Sequence, residues 1–244
     1  MLSIITVVYN DSDGLEKTIK SLEDQAVSGF SLELILIDGF SECAKIDELS
    51  KSFVVSKYIS EPDNGIYDAM NKGILFSTGD WVYFLNAGDT LENDNVLLNL
   101  LNEIDNTVNV NMIYGSYRAD GVLQTQVCTL PFLTTHMINH QSMIYHRSLF
   151  EHDYDLRYRF CADYAHLLSV WPRLKPKALD LCIANFDTTG VSSQASNKAR
   201  MWQERLYAVW RSDLSFTQKL MLSRRGIIAL PYHSIKNWLR KDEK

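Results

Sequence analysis

The chain has few of the residues that punctuate, cross-link or anchor a protein. Five prolines and eleven glycines make 16 of 244 residues, well under the roughly 12% of ordinary usage, which excludes a collagen-like or linker-rich chain. The four cysteines, Cys43, Cys128, Cys161 and Cys182, include no C-x-x-C pair and have no closely spaced histidine partner. A zinc cluster is therefore disfavoured, and the thiols read as buried residues of a reducing compartment. No apolar run approaches the roughly 20 residues of a membrane span. The apolar opening from Met1 to Tyr9 lacks a positive flank and reads as neither signal peptide nor anchor. The expected location is cytoplasmic, at most peripheral on the inner face of the cytoplasmic membrane.

What is present is an ordinary globular balance, 46% hydrophobic and 22% charged, with one or two domains allowed by length. The charge is unevenly placed. Residues 1–195 hold 13 Lys+Arg against 26 Asp+Glu, a net −13, and residues 196–244 hold 11 against 4, a net +7, which together give −6. An acidic body of 1–195 thus continues into a basic tail of 196–244. The body argues against a nucleic-acid partner, and the tail suits an anionic surface such as phospholipid headgroups or, equally, docking on the acidic body.

Three early runs, Ile4 to Tyr9, Leu32 to Ile37 and Trp81 to Leu85, read as buried strands. Between them lie helical patterns: Leu15, Ile19, Leu22 and Ala26 after capping candidates Asp11, Ser12 and Asp13, and a second stretch from Ile66 to Leu75. Such alternation implies right-handed βαβ units, a mostly parallel sheet, and a ligand site beyond the carboxyl ends of its strands. The three strand ends are polar: Tyr9-Asn10-Asp11, Asp38-Gly39 and Asn86-Ala87-Gly88-Asp89. Further on, Ala119-Asp120-Gly121 reads as a hairpin turn between Met112–Arg118 and Val122–Cys128. Gln141 to Tyr145 and Leu179 to Phe186 read as strands, Tyr164 to Val170 as a helix, and the chain from Ala195 as helical.

Clustered carboxylates without a strongly basic site suggest a hard cation that screens a polyanionic substrate. Mg²⁺ or Mn²⁺ takes one or two protein carboxylates and completes its coordination with phosphate oxygens and water. Asp89 is the best ligand candidate; the alternative is a turn or cap residue before Leu91.

Four segments then carry a family likeness, in this order and spacing: Ser3-Ile4-Ile5-Thr6-Val7-Val8-Tyr9-Asn10, Ile35-Leu36-Ile37-Asp38-Gly39-Phe40-Ser41, the run from Ser60 through Glu61-Pro62-Asp63-Asn64-Gly65-Ile66-Tyr67-Asp68 to Lys72-Gly73, and Phe84-Leu85-Asn86-Ala87-Gly88-Asp89. Later matches are His140-Gln141, Ala162-Asp163-Tyr164 and Gly190-Val191-Ser192. Together they resemble family 2 glycosyltransferases of the GT-A fold, especially the bacterial branch that builds colanic acid, capsule and O-antigen chains. The likeness spans roughly residues 1–193, and the run from Ser60 to Gly73 is its most specific part. It implies an α/β, Rossmann-like, mixed and mostly parallel sheet flanked by helices, followed by a helical C-terminal tail.

The resemblance also implies roles. Asp38 would accept a hydrogen bond from a uracil-type N–H or a ribose hydroxyl; the plain alternative is a turn. Asp68 and Lys72, one helical turn apart, would face the nucleotide and its phosphates, or would simply form a surface ion pair. Tyr9, Asn10, Gly39, Glu61, Asn64, Gly65, Asn86 and Ala87 would line the donor site, and His140 and Gln141 the acceptor or diphosphate. Asn86 and Gly88 stand where the family's Leu-Asp-Ala-Asp-Asp pattern has carboxylates, so Asp89 alone would hold Mn²⁺ or Mg²⁺, weakly without nucleotide. Asp163 would be the base that deprotonates the acceptor, or a helix N-cap. One base and one displacement imply inversion at the anomeric carbon.

The expected substrates are a nucleotide-diphosphate sugar, UDP-linked, and a saccharide acceptor carried on polyprenyl diphosphate. Trp202, Trp210, Phe216, Ile227, Ile228 and Trp238 interleave with Arg200, Arg205, Arg211, Arg224, Arg225, Lys236, Arg240 and Lys241 in the tail, which suits an anionic membrane surface. The rival readings are a non-catalytic sugar- or lipid-binding module and a sugar nucleotidyltransferase. The latter is disfavoured by the acidic Asn10-Asp11-Ser12-Asp13 where a basic triphosphate loop is needed. Oligomeric state is left open.

Overall fold

The computed structural model describes residues 1–25, 31–190 and 195–239. Ala26, Val191, Ser192, Arg240 and Lys241 of the expectations above lie outside them. In chain order the elements are β1 Leu2–Val8, α1 Ser12–Glu23, β2 Leu32–Asp38, α2 Ala44–Leu49, β3 Val55–Ser60, α3 Ile66–Phe76, β4 Trp81–Phe84, β5 Thr90–Leu91, α4 Val96–Asp105, β6 Met112–Ala119, β7 Val122–Gln124, α5 Leu130–Leu133, β8 Met143–His146, α6 Ala162–Val170, β9 Pro176–Phe186, α7 Lys198–Arg211 and α8 Phe216–Leu239.

Two compact units divide the chain. The first comprises residues 1–126, 139–154 and 175–187, and the second residues 127–138, 155–174 and 188–244. Among the described residues the first unit carries one nine-stranded sheet in the order β3-β2-β1-β4-β8-β6-β9-β5, with β7 on β6. Strands β3, β2, β1 and β4 are mutually parallel, so βαβ crossovers cover their faces. That is why β1, a run of β-branched and apolar residues around Ser3, is buried along its whole length. The β4–β8 and β8–β6 pairs are antiparallel and the β6–β9 pair is parallel. Two reversals restore direction, so β9 ends on the same edge as β1, β2 and β4.

Helix α1 begins where Asp11 accepts a hydrogen bond from the Gly14 backbone N–H at 2.9 Å, and it buries Leu15, Thr18, Ile19 and Leu22. Helix α3 lies so close to β1 that a Cβ on Gly73 would stand 2.3 Å from the Ile5 side chain. The hairpin turn is Asp120-Gly121, both with positive φ, between paired Ala119 and Val122. Five elements were not anticipated from the sequence, α2, β3, β5, α4 and α5, although α4 does carry a helical repeat in Val96, Leu97, Leu100 and Leu101. The second strand of the hairpin stops at Gln124, and Gln141 and Ser142 form a 3-10 turn that leads into β8.

The second unit contains α5, α6, α7 and α8. Arg205 on α7 organises it: one guanidinium nitrogen donates to the carbonyls of Leu133 and His136 at 2.8 and 2.9 Å, and the group stacks on Tyr164 and Trp202. Glu204 accepts from the Phe160 N–H at 2.8 Å. Among the described residues no helix is long and apolar enough to cross a membrane.

Candidate active site

The edge formed by the ends of β1, β2, β4 and β9 gathers the polar residues of the first unit. Beyond β1, Tyr9 is exposed and Asn10 takes a positive φ of 53°, with its N–H donating to Ser41 Oγ at 2.8 Å. Asp38 ends β2 and is only 1% exposed. Its carboxylate accepts from the Ser41 N–H at 3.1 Å, the Ser41 hydroxyl at 2.5 Å, the Ser60 hydroxyl at 2.7 Å and Tyr58 OH at 3.4 Å. Asp38 thereby fixes the 38–41 loop, and a ligand donor reaching it must displace one of these partners. A Cβ on Gly39 would stand 2.5 Å from the Asp63 carboxylate and 3.1 Å from the Tyr9 ring, so these three are neighbours.

The segment before α3 is tied to the helix from both sides. Asp68 accepts from the Asn64 backbone N–H at 2.8 Å and from its side-chain amide at 3.1 Å. Lys72 reaches back to the Pro62 carbonyl at 2.6 Å and pairs with Glu61 at 3.0 Å. Gly65, with φ of 117°, makes the bend into the helix. Asp68 and Lys72 therefore hold one loop between them, with Glu61, not Asp68, as the ammonium's acidic partner.

After β4 the chain turns through Asn86, Ala87, Gly88 and Asp89, closed by the Asp89 N–H donating to the Asn86 carbonyl at 3.1 Å. Gly88 takes a φ of 96°, open to glycine at no steric cost. Thr18, wholly buried on α1, pins this turn: its hydroxyl donates to the Asp89 carbonyl at 2.7 Å and accepts from the Gly88 N–H at 3.1 Å. Asp89 is 3% exposed. Burial, reinforced by the charge of Asp187, pushes its carboxyl up to about 7 against hydrogen bonds from the Asp187 N–H and the Gln141 amide.

Asp187 is the residue the sequence reading missed. It follows β9, its N–H donates to Asp89 Oδ1 at 2.8 Å, and its own carboxylate lies 2.9 Å from where a Cβ of Gly88 would be. The strand-end rule applied to the first three strands would have found it after Phe186. Thr18 also had a signal, a hydroxyl inside the apolar stripe of Leu15, Ile19 and Leu22.

A divalent cation suits these donors. Asp89 and Asp187 supply two carboxylates, and Asn86 Oδ1 is buried with no hydrogen-bond partner; all are hard oxygen ligands. Among the described residues no three His, Cys, Asp or Glu side chains gather into a metal cage, so a cation held here would need phosphate oxygens and water to complete its coordination.

His140 and Gln141 are both buried beside β8. The His140 ring stacks on Phe84 at 4.7 Å, and Nε2 bonds to Tyr154 OH at 2.8 Å. Burial lowers its imidazole to about 3, which keeps it neutral. The Asn71 side-chain amide holds the Tyr154 backbone, donating to its carbonyl at 2.9 Å and accepting from its N–H at 2.8 Å. Gln141 accepts from Tyr83 OH through its carbonyl at 2.8 Å and sends its amide to Asp89. Of this pair, Gln141 touches the carboxylate and His140 braces the peptide beside it.

Asp163 belongs to the second unit. It lies within the first turn of α6, whose N-cap is Cys161, so it is not the cap residue that its position before Tyr164 suggested. Its half-buried carboxylate accepts from the Tyr164 N–H at 2.8 Å. A negative charge is favoured there by the helix dipole.

The mixed, mostly parallel sheet with carboxylates at its strand ends has the fold of GT-A glycosyltransferases. The model of glycosyl transferase family 2 matches residues 3–154, and the chain belongs to that family. An uncharacterized glycosyltransferase of Mycobacterium tuberculosis is 30% identical over 209 residues, 81% of this chain and 79% of its own. The PGL/p-HBAD biosynthesis glycosyltransferase of Mycobacterium bovis is 28% identical, covering 98% of this chain and 91% of its own. Among solved structures, the Pyrobaculum calidifontis mannosyltransferase in complex with GDP-Man and Mn²⁺ shares the fold at a TM-score of 0.71 and 13% identity, over 96% of this chain and 73% of that one. Staphylococcus aureus TarS 1–349 in complex with UDP-GlcNAc gives 0.69 and 15%, over 91% and 70%. The protein is a glycosyltransferase.

Proposed function

We propose that the protein is an inverting glycosyltransferase that moves a sugar from a nucleotide-diphosphate sugar, UDP-linked, to a saccharide on a polyprenyl-diphosphate carrier at the cytoplasmic membrane, in the synthesis of a surface polysaccharide such as O-antigen or capsule. The observation that carries the donor side is the paired Asp89 and Asp187 beside the unpartnered Asn86 oxygen. These residues would hold Mn²⁺ or Mg²⁺, which supplies positive charge to a leaving diphosphate. Tyr9, Asn10, Asp38 and Gly39 would receive the nucleoside, with Glu61, Asn64, Gly65, Asp68 and Lys72 along its phosphates and Asn86 and Ala87 near the sugar. Gln141 orients Asp89 for this work, and His140 holds Gln141.

For the acceptor, the Asp163 carboxylate takes the proton from the attacking hydroxyl. The hydroxyl oxygen forms its bond to the anomeric carbon as the bond to the diphosphate oxygen breaks, and the nucleoside diphosphate leaves with the electron pair. A single displacement inverts the anomeric centre. The named role of the mycobacterial relative in PGL/p-HBAD biosynthesis supports a glycolipid setting. In domain terms, residues 1–195 are the catalytic part and residues 196–244 a basic tail that attaches to anionic lipid.

Incubation with a panel of nucleotide sugars and Mn²⁺ should release nucleoside diphosphate from one of them. Silence across the panel, with no donor bound, would overturn the enzyme reading. Asp163→Asn should lower transfer by a factor of about 10²–10⁴ while nucleotide affinity stays nearly unchanged; lost nucleotide binding would move Asp163 to the donor side.

A further inference from the structure

The second unit contains a groove of about 810 Å³ that the transfer reaction does not use, within the roughly 300–1,000 Å³ range of sites for small amphiphiles. One wall is α8. Residues Met221, Arg225, Ile228 and Tyr232 recur at helical spacing along it, with Arg224 beside them, and the opposite wall includes Pro131 and Trp202. The other face of α8 is already committed: Leu222 and Ser223 are buried, and a Cβ on Gly226 would stand 2.7 Å from Leu206 of α7. The groove face is therefore not awaiting that neighbour, yet Ile228 on it is 75% exposed. From Phe216 to Leu239 the helix carries Lys219, Arg224, Arg225 and Lys236 and no carboxylate. An apolar trough with two guanidinium groups at its side is complementary to one ligand chemistry, a hydrocarbon chain bearing a phosphate.

We propose that this groove binds a single anionic phospholipid of the bilayer, its phosphate on Arg224 and Arg225 and its acyl chain along Ile228 and Tyr232 against Trp202. The proposal deepens the membrane-attached tail described above and rests on that part of the reading. It replaces diffuse attraction by a defined site. The exposed Ile227 and Tyr232 favour a bilayer lipid over a soluble phosphate, because they add apolar surface that only a lipid phase covers.

The test uses the full chain with phosphatidylcholine vesicles, with or without phosphatidylglycerol, whose acyl chains are brominated. Sedimentation with the phosphatidylglycerol vesicles and quenching of Trp202 fluorescence are expected, with Trp202→Phe keeping the binding and losing that quenching. The double variant Arg224→Ala, Arg225→Ala should weaken sedimentation on the order of thirtyfold, at about 1 kcal/mol for each basic residue. Ile228→Ser should abolish the quenching while nucleoside diphosphate release from the donor stays unchanged. A triple variant Lys236→Gln, Arg240→Gln, Lys241→Gln separates the readings: a loss equal to that of the arginine pair, with no Trp202 quenching, overturns the groove and leaves the tail reading standing. Absence of any vesicle binding overturns both. Concentration-dependent dimers that disappear with Ile228→Ser would assign the groove to a second copy and overturn the lipid.

Discussion

Asp89 and His140 are each driven towards neutrality by burial, and each depends on a neighbour's hydrogen bond. For Asp89 those neighbours are the Asp187 N–H and Gln141; the backbone donor survives Asp187→Asn, which removes only the second carboxylate beside the Gly88–Asp89 turn, and that loss should raise the Mn²⁺ concentration needed for half-maximal transfer by about 10- to 100-fold, read from a metal titration of activity. For His140 the consequence is a pH dependence of stability. Its folded value of about 3 lies below the ordinary 6.5, so the unfolded chain binds the extra proton and stability is lost as pH falls below 6.5. Between pH 7.5 and pH 5 the loss attributable to this side chain is about 2 kcal/mol. Urea denaturation of the wild type and His140→Gln at both pH values should show the difference between them shrinking by that amount on acidification.

At the scale of elements, the transfer site depends on how helices meet the sheet. Thr18 secures the Gly88–Asp89 turn from α1, and Thr18→Val leaves the half-buried Gly88 N–H and the Asp89 carbonyl without this partner. The expected cost is about 1–3 kcal/mol with a weaker metal response, both restored by Thr18→Ser; calorimetry and the metal titration read the two effects. Gly73→Ala drives a methyl into Ile5 where α3 crosses β1, and overpacking of this kind costs about 1–3 kcal/mol, measurable as a lower denaturation midpoint. Periodicity made α3 legible to within one residue, and periodicity with the Asp11 cap located the start of α1, whose expected pattern ran on to Ala26, past Glu23 and outside the described residues. Strand β3 was not legible, since at the sheet edge its half-buried and exposed residues do not alternate, with Ser56 and Lys57 exposed together and Tyr58 and Ile59 half-buried together. Helix α2 is six residues long, too short for a 3.6-residue period to declare itself.

Over the whole molecule the charge asymmetry remains the most consequential global feature. With −13 on residues 1–195 and +7 on residues 196–244, vesicle binding through the tail should weaken steeply as salt shortens the Debye length from about 10 Å at 0.1 M to about 3 Å at 1 M. Sedimentation with phosphatidylglycerol vesicles across a salt series checks this; salt-independent binding would point to apolar insertion alone. The sequence by itself determined the parallel βαβ core, the rim on which polar residues gather, and the family, because strand composition, helical spacing and strand-end residues are local properties. Only the tertiary structure decided that Asp187 joins Asp89, that Asp38 is saturated by Ser41, Ser60 and Tyr58, and that His140 is caged beside Tyr154. The Ser41 contact is local, three residues from Asp38, but the others bridge separate segments, 14 residues apart for His140 and Tyr154, 22 for Asp38 and Ser60 and 98 for Asp89 and Asp187, and these follow from sheet order and burial, which no local pattern encodes.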